Sequence, residues 1–271
     1  MPLPTPTLLS VQGVLSYANQ VAQDPAADEQ FIAAIRHEFA NVLNRQLLPA
    51  DTPPQTPYMT LASTSAQLAV SAAQVDFQVR FYGDYLTNIE QGLDYAERKL
   101  TAVRGGLEAA GRQASILGLV SALHFSFDQD DAPDEEPAVY IRQHHLQTDA
   151  PEDQLQDALV RVALRVRDTY FVNFTLSNYE TRVLERPIMP GLQAIRVRPW
   201  EGRVQDRGLE LAVDINNGLE ARVARDDPVI TDDGIRAATA MLRRIAATAG
   251  PAFAESGAVS LEELVEASAG A

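Results

Sequence analysis

The spacing of hydrophobic positions changes along the chain, and each change marks a different element. Phe31, Ile35, Phe39, Val42 and Leu43 recur at helical spacing through about residue 48. Asp24 is a good N-cap for that helix, and Pro25 suits its first position. An earlier helix is read over 11–21, and prolines mark 49–57 as a linker. Short strands are predicted at 58–62, 67–71 and 75–81. In the last, Val75, Phe77, Val79 and Phe81 alternate with Asp76, Gln78 and Arg80, the pattern of a half-buried strand. Thr87-Asn88-Ile89-Glu90 has capping-box form, with Asp84 as an alternative earlier start. Ile89, Leu93, Ala96, Leu100 and Val103 make the apolar stripe of a long helix. Gly105-Gly106 is expected to loosen or stop it. Residues 115–127 then read as a buried strand.

The second half repeats this vocabulary. Residues 138–146 read as a strand between two acidic loops. Val160, Val162, Leu164 and Val166 face one way and Arg161, Arg165 and Arg167 the other; Asp168-Thr169 is turn sequence, and 170–176 returns. A second hairpin is read from Leu209, Leu211, Val213 and Ile215, through Asn216-Asn217-Gly218, to Leu219, Ala221 and Val223. A final long helix starts at Thr231, with Asp232 and Asp233 at its positive end and Arg243 and Arg244 near its negative end. Ile235, Ala238, Leu242 and Ile245 line its core face. Ser260 with Glu263 caps a short terminal helix.

These elements define an α+β protein of antiparallel sheets with long packing helices, preceded by N-terminal helices. The organisation reads as a helical segment and linker (1–57), a first α+β lobe (58–127), an acidic connecting segment (128–157) and a second α+β lobe (158–271). The four could equally form one integrated domain. The long helices at 87–104 and 231–249 occupy comparable places, compatible with a duplicated strand-rich plus helix unit, although no residue-level repeat accompanies them.

Composition narrows the function classes. The chain has 271 residues, no cysteine and a net charge of −15. Disulfides, thiolate metal sites and a cysteine nucleophile are excluded. The acidity argues against nucleic acid or an anionic membrane as partner. No stretch approaches the length of a membrane span. Residues 1–30 carry no Lys or Arg and open on spaced prolines, so a cytoplasmic protein is expected. Lys99 is the only lysine, and arginine supplies nearly every positive charge.

The motifs of common chemistries are missing. There is no Gly-x-Ser-x-Gly elbow, no phosphate-binding Gly-Lys-Ser/Thr loop and no Gly-x-Gly-x-x-Gly. His37 lies off the apolar stripe of its helix and is expected to be solvated. His124 falls in a strand, and His144 and His145 on a strand would point to opposite faces. No metal site is read from them, and no cofactor is implied. Asp214-Ile215-Asn216-Asn217-Gly218 matches a calcium loop only superficially: the glycine is one position early, and Arg225 stands where the bidentate glutamate belongs. Glu90, Asp94 and Glu97 read as a solvated helix face, with Asp94 able to pair with Arg98.

One constellation stands out. Residues 128–157 carry ten acids and one arginine, whereas 158–207 carry nine arginines and five acids. Arg161, Arg165, Arg167, Arg196 and Arg198, with Tyr179 nearby, are the candidates for an anion- or partner-binding surface. Against that stands a solvent face neutralised by the acidic segment.

Three pieces of the C-terminal half carry a family resemblance: the strand Leu211-Ala212-Val213-Asp214-Ile215 with its embedded acid, the helix over 231–249, and Phe253-Ala254-Glu255-Ser256 opening a small helix. From residue 58 onward this order resembles an uncharacterised, sporadically distributed bacterial protein family. The N-terminal helices and the lack of a clear opening strand depart from its pattern. The resemblance implies an α+β fold, no known reaction and no catalytic residues to carry over. Its scattered occurrence suits an accessory, defence-linked or mobile-element protein.

Missing chemistry and segregated charge lead to a non-enzymatic interaction or assembly protein, with a protein partner or self-association. The alternatives are an enzyme or small-anion-binding protein using the arginine-lined sheet and, more weakly, a nucleic-acid binder.

Overall fold

The alternating segments pair side by side into one sheet, and the helices bury one face of it. The structure, a computed structural model, describes residues 3–49, 51–128, 133, 135–146, 155–167, 169–183, 202–218 and 229–269. Its strands are β1 (Thr7–Tyr17), β2 (Asn41–Arg45), β3 (Met59–Ala62), β4 (Ala66–Val70), β5 (Gln74–Arg80), β6 (Ala114–Ser126), β7 (Leu159–Val166), β8 (Tyr170–Val183) and β9 (Arg203–Asn216). All pairings are antiparallel, in the order β2-β3-β4-β5-β1-β6-β9-β8-β7. The helices are α1 (Pro25–Ile35), α2 (Asp84–Thr87), α3 (Ile89–Ala109), α4 (Pro137–His145), α5 (Asp232–Arg244), α6 (Gly250–Ser256) and α7 (Leu261–Ala269). A π-type turn, Ile245–Ala249, joins α5 to α6. No described helix is long and apolar enough to cross a membrane.

The strand order repeats one connectivity. In each half the first strand, β1 or β6, lies at the centre. The last strand of that half, β5 or β9, pairs beside it, and the others step outward. The two first strands pair with each other. Beyond its last strand each half carries a long helix, α3 or α5, and these two helices pack together. Arg243 of α5 joins them by gathering Glu90 at 3.2 Å, Asp94, and Glu97 at 2.9 Å. Those acids are therefore a clamp between helices, and Arg98 binds Glu38 rather than Asp94.

Several sequence expectations are corrected. The chain opens on a strand, not on a helix over 11–21. Its buried residues are Leu8 and then, after a register shift between Leu8 and Ser10, Val11, Gly13, Leu15 and Tyr17 in strand alternation. The first helix is capped by Asp24 as expected but ends at Ile35. Phe39 is buried beyond its end, edge-on to Phe77, and 41–45 turns to strand. Residues 137–145 form a helix, because Pro137 occupies its first turn, where no N–H is needed. His144 stacks on Tyr140, and His145 bonds the Ala254 carbonyl at 2.8 Å. The returning arm of the second hairpin lies outside the described residues. Both edges of β9 are already occupied, by β6 and β8.

The helix α3 runs through Gly105-Gly106 to Ala109. Gly106 sits where α1 crosses, and a Cβ there would lie 2.5 Å from Ile35 Cγ2 and 3.1 Å from the Phe31 ring. Gly105 has nothing within 4 Å of that position.

Two buried charged groups fix α1. Lys99 bonds Glu38 Oε2 at 2.8 Å and the Glu38 carbonyl, under the Phe39 and Tyr95 rings. Burial would raise the Glu38 carboxyl, but Lys99 and Arg98 together hold it below its ordinary range. Arg112 donates to Asp28 at 2.8 Å and to the Tyr58 hydroxyl at 2.9 Å, and Tyr58 donates to Asp28 at 3.0 Å. Burial pushes the Tyr58 hydroxyl up to about 12.

Two stability predictions follow from these contacts. Gly105→Ala is expected to stabilise by up to about 1 kcal/mol through helix propensity. Gly106→Ala is expected to destabilise, because overpacking costs about 1–3 kcal/mol and outweighs the same gain. Urea unfolding of the two variants side by side checks the opposite signs. Arg112→Met leaves buried Asp28 only the more distant Arg45, at 3.7 Å, and is expected to cost about 3 kcal/mol. A midpoint within error of wild type would contradict that account of the cluster.

Candidate functional site

Strand alternation that buries one face of the sheet exposes the other. Leu117, Leu119, Leu123 and Phe125 of β6 are buried, whereas Ile116, Gly118, Val120, Ala122, His124 and Ser126 point away from them. The helices lie on the buried side: Phe253 of α6 packs on Phe174 of β8 at 5.2 Å between ring centroids. Antiparallel sheets tolerate such one-sided cover. Apart from Gly208, the described strand residues of the opposite face in the rows below are half-buried or exposed.

Cross-strand register lays these side chains in rows. One row runs Arg161, Thr175, Ala212, Ala122, Ser10 and Arg80 from β7 to β5. The next runs Ala163, Asn173, Asp214, Val120, Gln12, Gln78 and Gln67 from β7 to β4. The third runs Arg165, Phe171, Asn216, Gly118, Val14 and Asp76. At the centre, on β1 and β6, every residue of these rows is uncharged. Val120 there is 37% exposed. Carboxylates border the centre: Asp214, which accepts from Asn173 at 3.0 Å, and Asp76, which accepts from Gln74 at 2.8 Å. Burial raises the Asp76 carboxyl above its ordinary range. Gln12, Val14, Gln67, Ala69, Asp76 and Gln78 line a shallow depression of about 280 Å³ on this face.

A polar cluster closes one end of the face. His124 Nε2 meets Glu210 Oε2 at 2.7 Å, and the His124 ring stacks on Tyr179 at 3.9 Å. Tyr179 donates to Asp206 at 2.8 Å, and Ser126 donates to the other oxygen of that carboxylate at 2.5 Å. Burial, with Asp206 adding to it, raises the Tyr179 hydroxyl. The bond from His124 holds the Glu210 carboxyl below its ordinary range. Ser126 and His124 each bond a carboxylate, an arrangement that fixes side chains rather than poising a nucleophile. Among the described residues no three His, Asp or Glu side chains converge as a metal site.

The candidate residues named from sequence divide accordingly. Arg161 and Arg165 lie on the open face, opposite Thr175 and Phe171. Arg167 lies beyond the end of β7 with φ +54°, and its guanidinium donates to the Val265 carbonyl at 3.2 Å. Tyr179 is on the open face but committed to Asp206 and His124. Arg196 and Arg198 lie outside the described residues. Within the acidic segment, Asp128 and Glu136 pair with Arg207. Sequence reasoning missed Gln12, Gln67, Gln78, Ile116 and Val120. Alternation in β5 marked the face of Gln78, but reading 115–127 as a buried strand hid the open face of Ile116 and Val120, and the helical reading of β1 hid Gln12. No family model matches the chain, and no curated protein is significantly similar to it.

The His124–Glu210 pair makes a pH prediction. A carboxyl lowered on folding adds stability above its unfolded value, about 4.3 for glutamate. That stability is lost as pH falls through the lower folded value. His124→Ala is expected to return Glu210 towards the ordinary range in an NMR titration, and to flatten the acid limb of stability against pH. An unchanged Glu210 titration in the variant would remove His124 as the cause.

Proposed function

We propose that this is a non-enzymatic interaction protein, an adaptor or assembly subunit that receives a protein partner on the open face of its sheet. The observation that carries the reading is the uncharged centre of that face, in a chain with 22% charged residues. Ile116 and Val120 supply exposed apolar surface on a central strand. Gln12, Gln67, Gln78 and Asn173 supply paired amide donors and acceptors, which suit peptide groups and polar side chains. Asp76, Asp214 and Glu210 form a charged border. An apolar and amide centre inside a charged border is the anatomy of a protein–protein interface.

A second reading rests on Arg161 and Arg165, which share the open face at the β7 edge with Ala163 and Asn173 in the row between theirs. Two guanidinium groups there could hold a phosphate or carboxylate. That reading expects a saturable thermal shift with inorganic phosphate or organic acids that is lost in Arg161→Ala.

The interface reading is tested by affinity capture from native lysate, with wild type and Val120→Asp compared quantitatively. Val120→Asp is expected to reduce a co-purifying protein at least about tenfold, since a charge enters the desolvated centre. Its circular dichroism is expected to match wild type. Leu261→Asp, at a 46% exposed position on α7, serves as the control. The same proteins captured in the same amounts by Val120→Asp would sink the interface reading.

A further inference from the structure

The repeated connectivity relates residues as well as strands. Val14 of β1 faces Gly118 of β6, and Gln12 faces Val120, so a local two-fold axis passes through the Gly13–Leu119 pair between them. It carries Val14 onto Val120 and β5 onto β9. Val14 pairs with Asp76 of β5, and Val120 pairs with Asp214 of β9. The next strands keep step: Asp76 pairs with Ala69 of β4, and Asp214 with Asn173 of β8. Val75-Asp76-Phe77-Gln78 and Val213-Asp214-Ile215-Asn216 therefore stand at equivalent places. Each sets one carboxylate beside one valine on the open face. Aspartate is poorly suited to strand interiors, yet both halves hold one here.

Neither carboxylate has a cation of its own. Glu210 on the same face bonds His124, whereas Asp76 accepts from Gln74, and Asp214 from Asn173 and, at 3.2 Å, Asn216. Among the described residues no Lys, Arg or His pairs with either. Arg80 is four residues along β5 from Asp76, and Arg161 and Arg165 are two strands out from Asp214. An amide satisfies an oxygen of a carboxylate but leaves its charge, whereas a guanidinium or ammonium answers both. Asp76 also lines the depression of about 280 Å³ with Gln12, Val14 and Gln78, and burial there raises its carboxyl. Three strand spacings of about 4.8 Å and two residues of about 3.4 Å separate the two carboxylates, about 16 Å in all.

Resting on the interface reading, we propose that Asp76 and Asp214 are paired docking points for a protein partner that presents two basic side chains about 16 Å apart, one to each, with apolar surface between them against Val14 and Val120. A basic partner complements a chain of net charge −15. An α-helix meets this spacing with basic residues about eleven positions apart, since a rise of about 1.5 Å per residue spans about 16 Å and returns them to one face.

Fluorescence anisotropy with labelled alanine-rich helical peptides tests this. One peptide carries two arginines about eleven residues apart with leucines between them on the same face, and the other carries them about four apart at the same net charge. The wide peptide is expected to bind at least about tenfold tighter than the narrow one, because both ion pairs form at once. Asp76→Asn and Asp214→Asn are each expected to weaken it about tenfold, and Glu262→Gln, at an exposed position on α7, to leave it unchanged. Asparagine keeps the shape of each carboxyl, so circular dichroism should match wild type. Equal affinity for the two peptides, or no binding of either, overturns the proposal. Affinity capture from lysate with the same variants separates it from the interface reading. A captured protein lost in Asp76→Asn, Asp214→Asn and Val120→Asp alike supports both. Capture lost in Val120→Asp but untouched in the two Asn variants overturns the paired docking points and leaves the interface standing. Capture indifferent to all three overturns both.

Discussion

The pairing of β1 with β6 is the interaction on which the rest of the molecule depends. β1 is bonded on one side to its own half through β5 and on the other to β6, which in turn bonds β9. Without that seam the nine strands would be two sheets of five and four. The helix layer crosses at the same place, where α3 and α5 pack together. Ion pairs decorate the crossing, but Glu90 and Asp94 are about two-thirds exposed, and such pairs contribute about 0–1 kcal/mol each. Fully burying one leucine contributes about 1.5–3 kcal/mol. Leu15, Leu100, Leu117 and Leu119, all at most 2% exposed, are therefore the main adhesive, and Arg243 chiefly sets the angle and register of the helices.

This seam also explains what could be read from the sequence. β5, β7 and α5 were legible because one period runs through each without interruption. β1 was not, because an irregularity near Leu9 breaks its alternation and inward Gly13 has no side chain to mark it, which leaves Leu8, Val11 and Leu15 spaced by three and then four. Phe39 prolonged the apparent stripe of α1, although it belongs to the core beneath Lys99 rather than to the helix. Val139, Tyr140 and Ile141 read as strand formers, and only the placement of Pro137 at a helix start tells otherwise. Arg243 lies about 150 residues from the acids it gathers, and no local pattern announces such a partner. Of the candidate surface, the arginines on β7 were legible from alternation. The amide row was not, since it exists only once β1 stands between β5 and β6.

The two faces of the sheet show different pressures on sequence. The buried face is filled with Leu, Val, Ile and Phe, whose packing stabilises the monomer. On the open face a folded monomer gains little from its particular residues, because an exposed amide exchanges a hydrogen bond with water for another of similar strength. Stability alone would favour β-branched or aromatic pairs there, or charges for solubility. The rows instead place glutamines on three adjacent strands and small residues at Gly118, Ala122 and Ala212. Small residues let another surface approach the backbone closely, and amides can both give and accept once it arrives. Such a face contributes little energy in isolation and offers its donors, acceptors and apolar centre to whatever covers it. That pattern is what the proposed interface expects and what monomer stability does not require, and the committed His124, Tyr179 and Ser126 side chains hold one end of the face in a fixed shape.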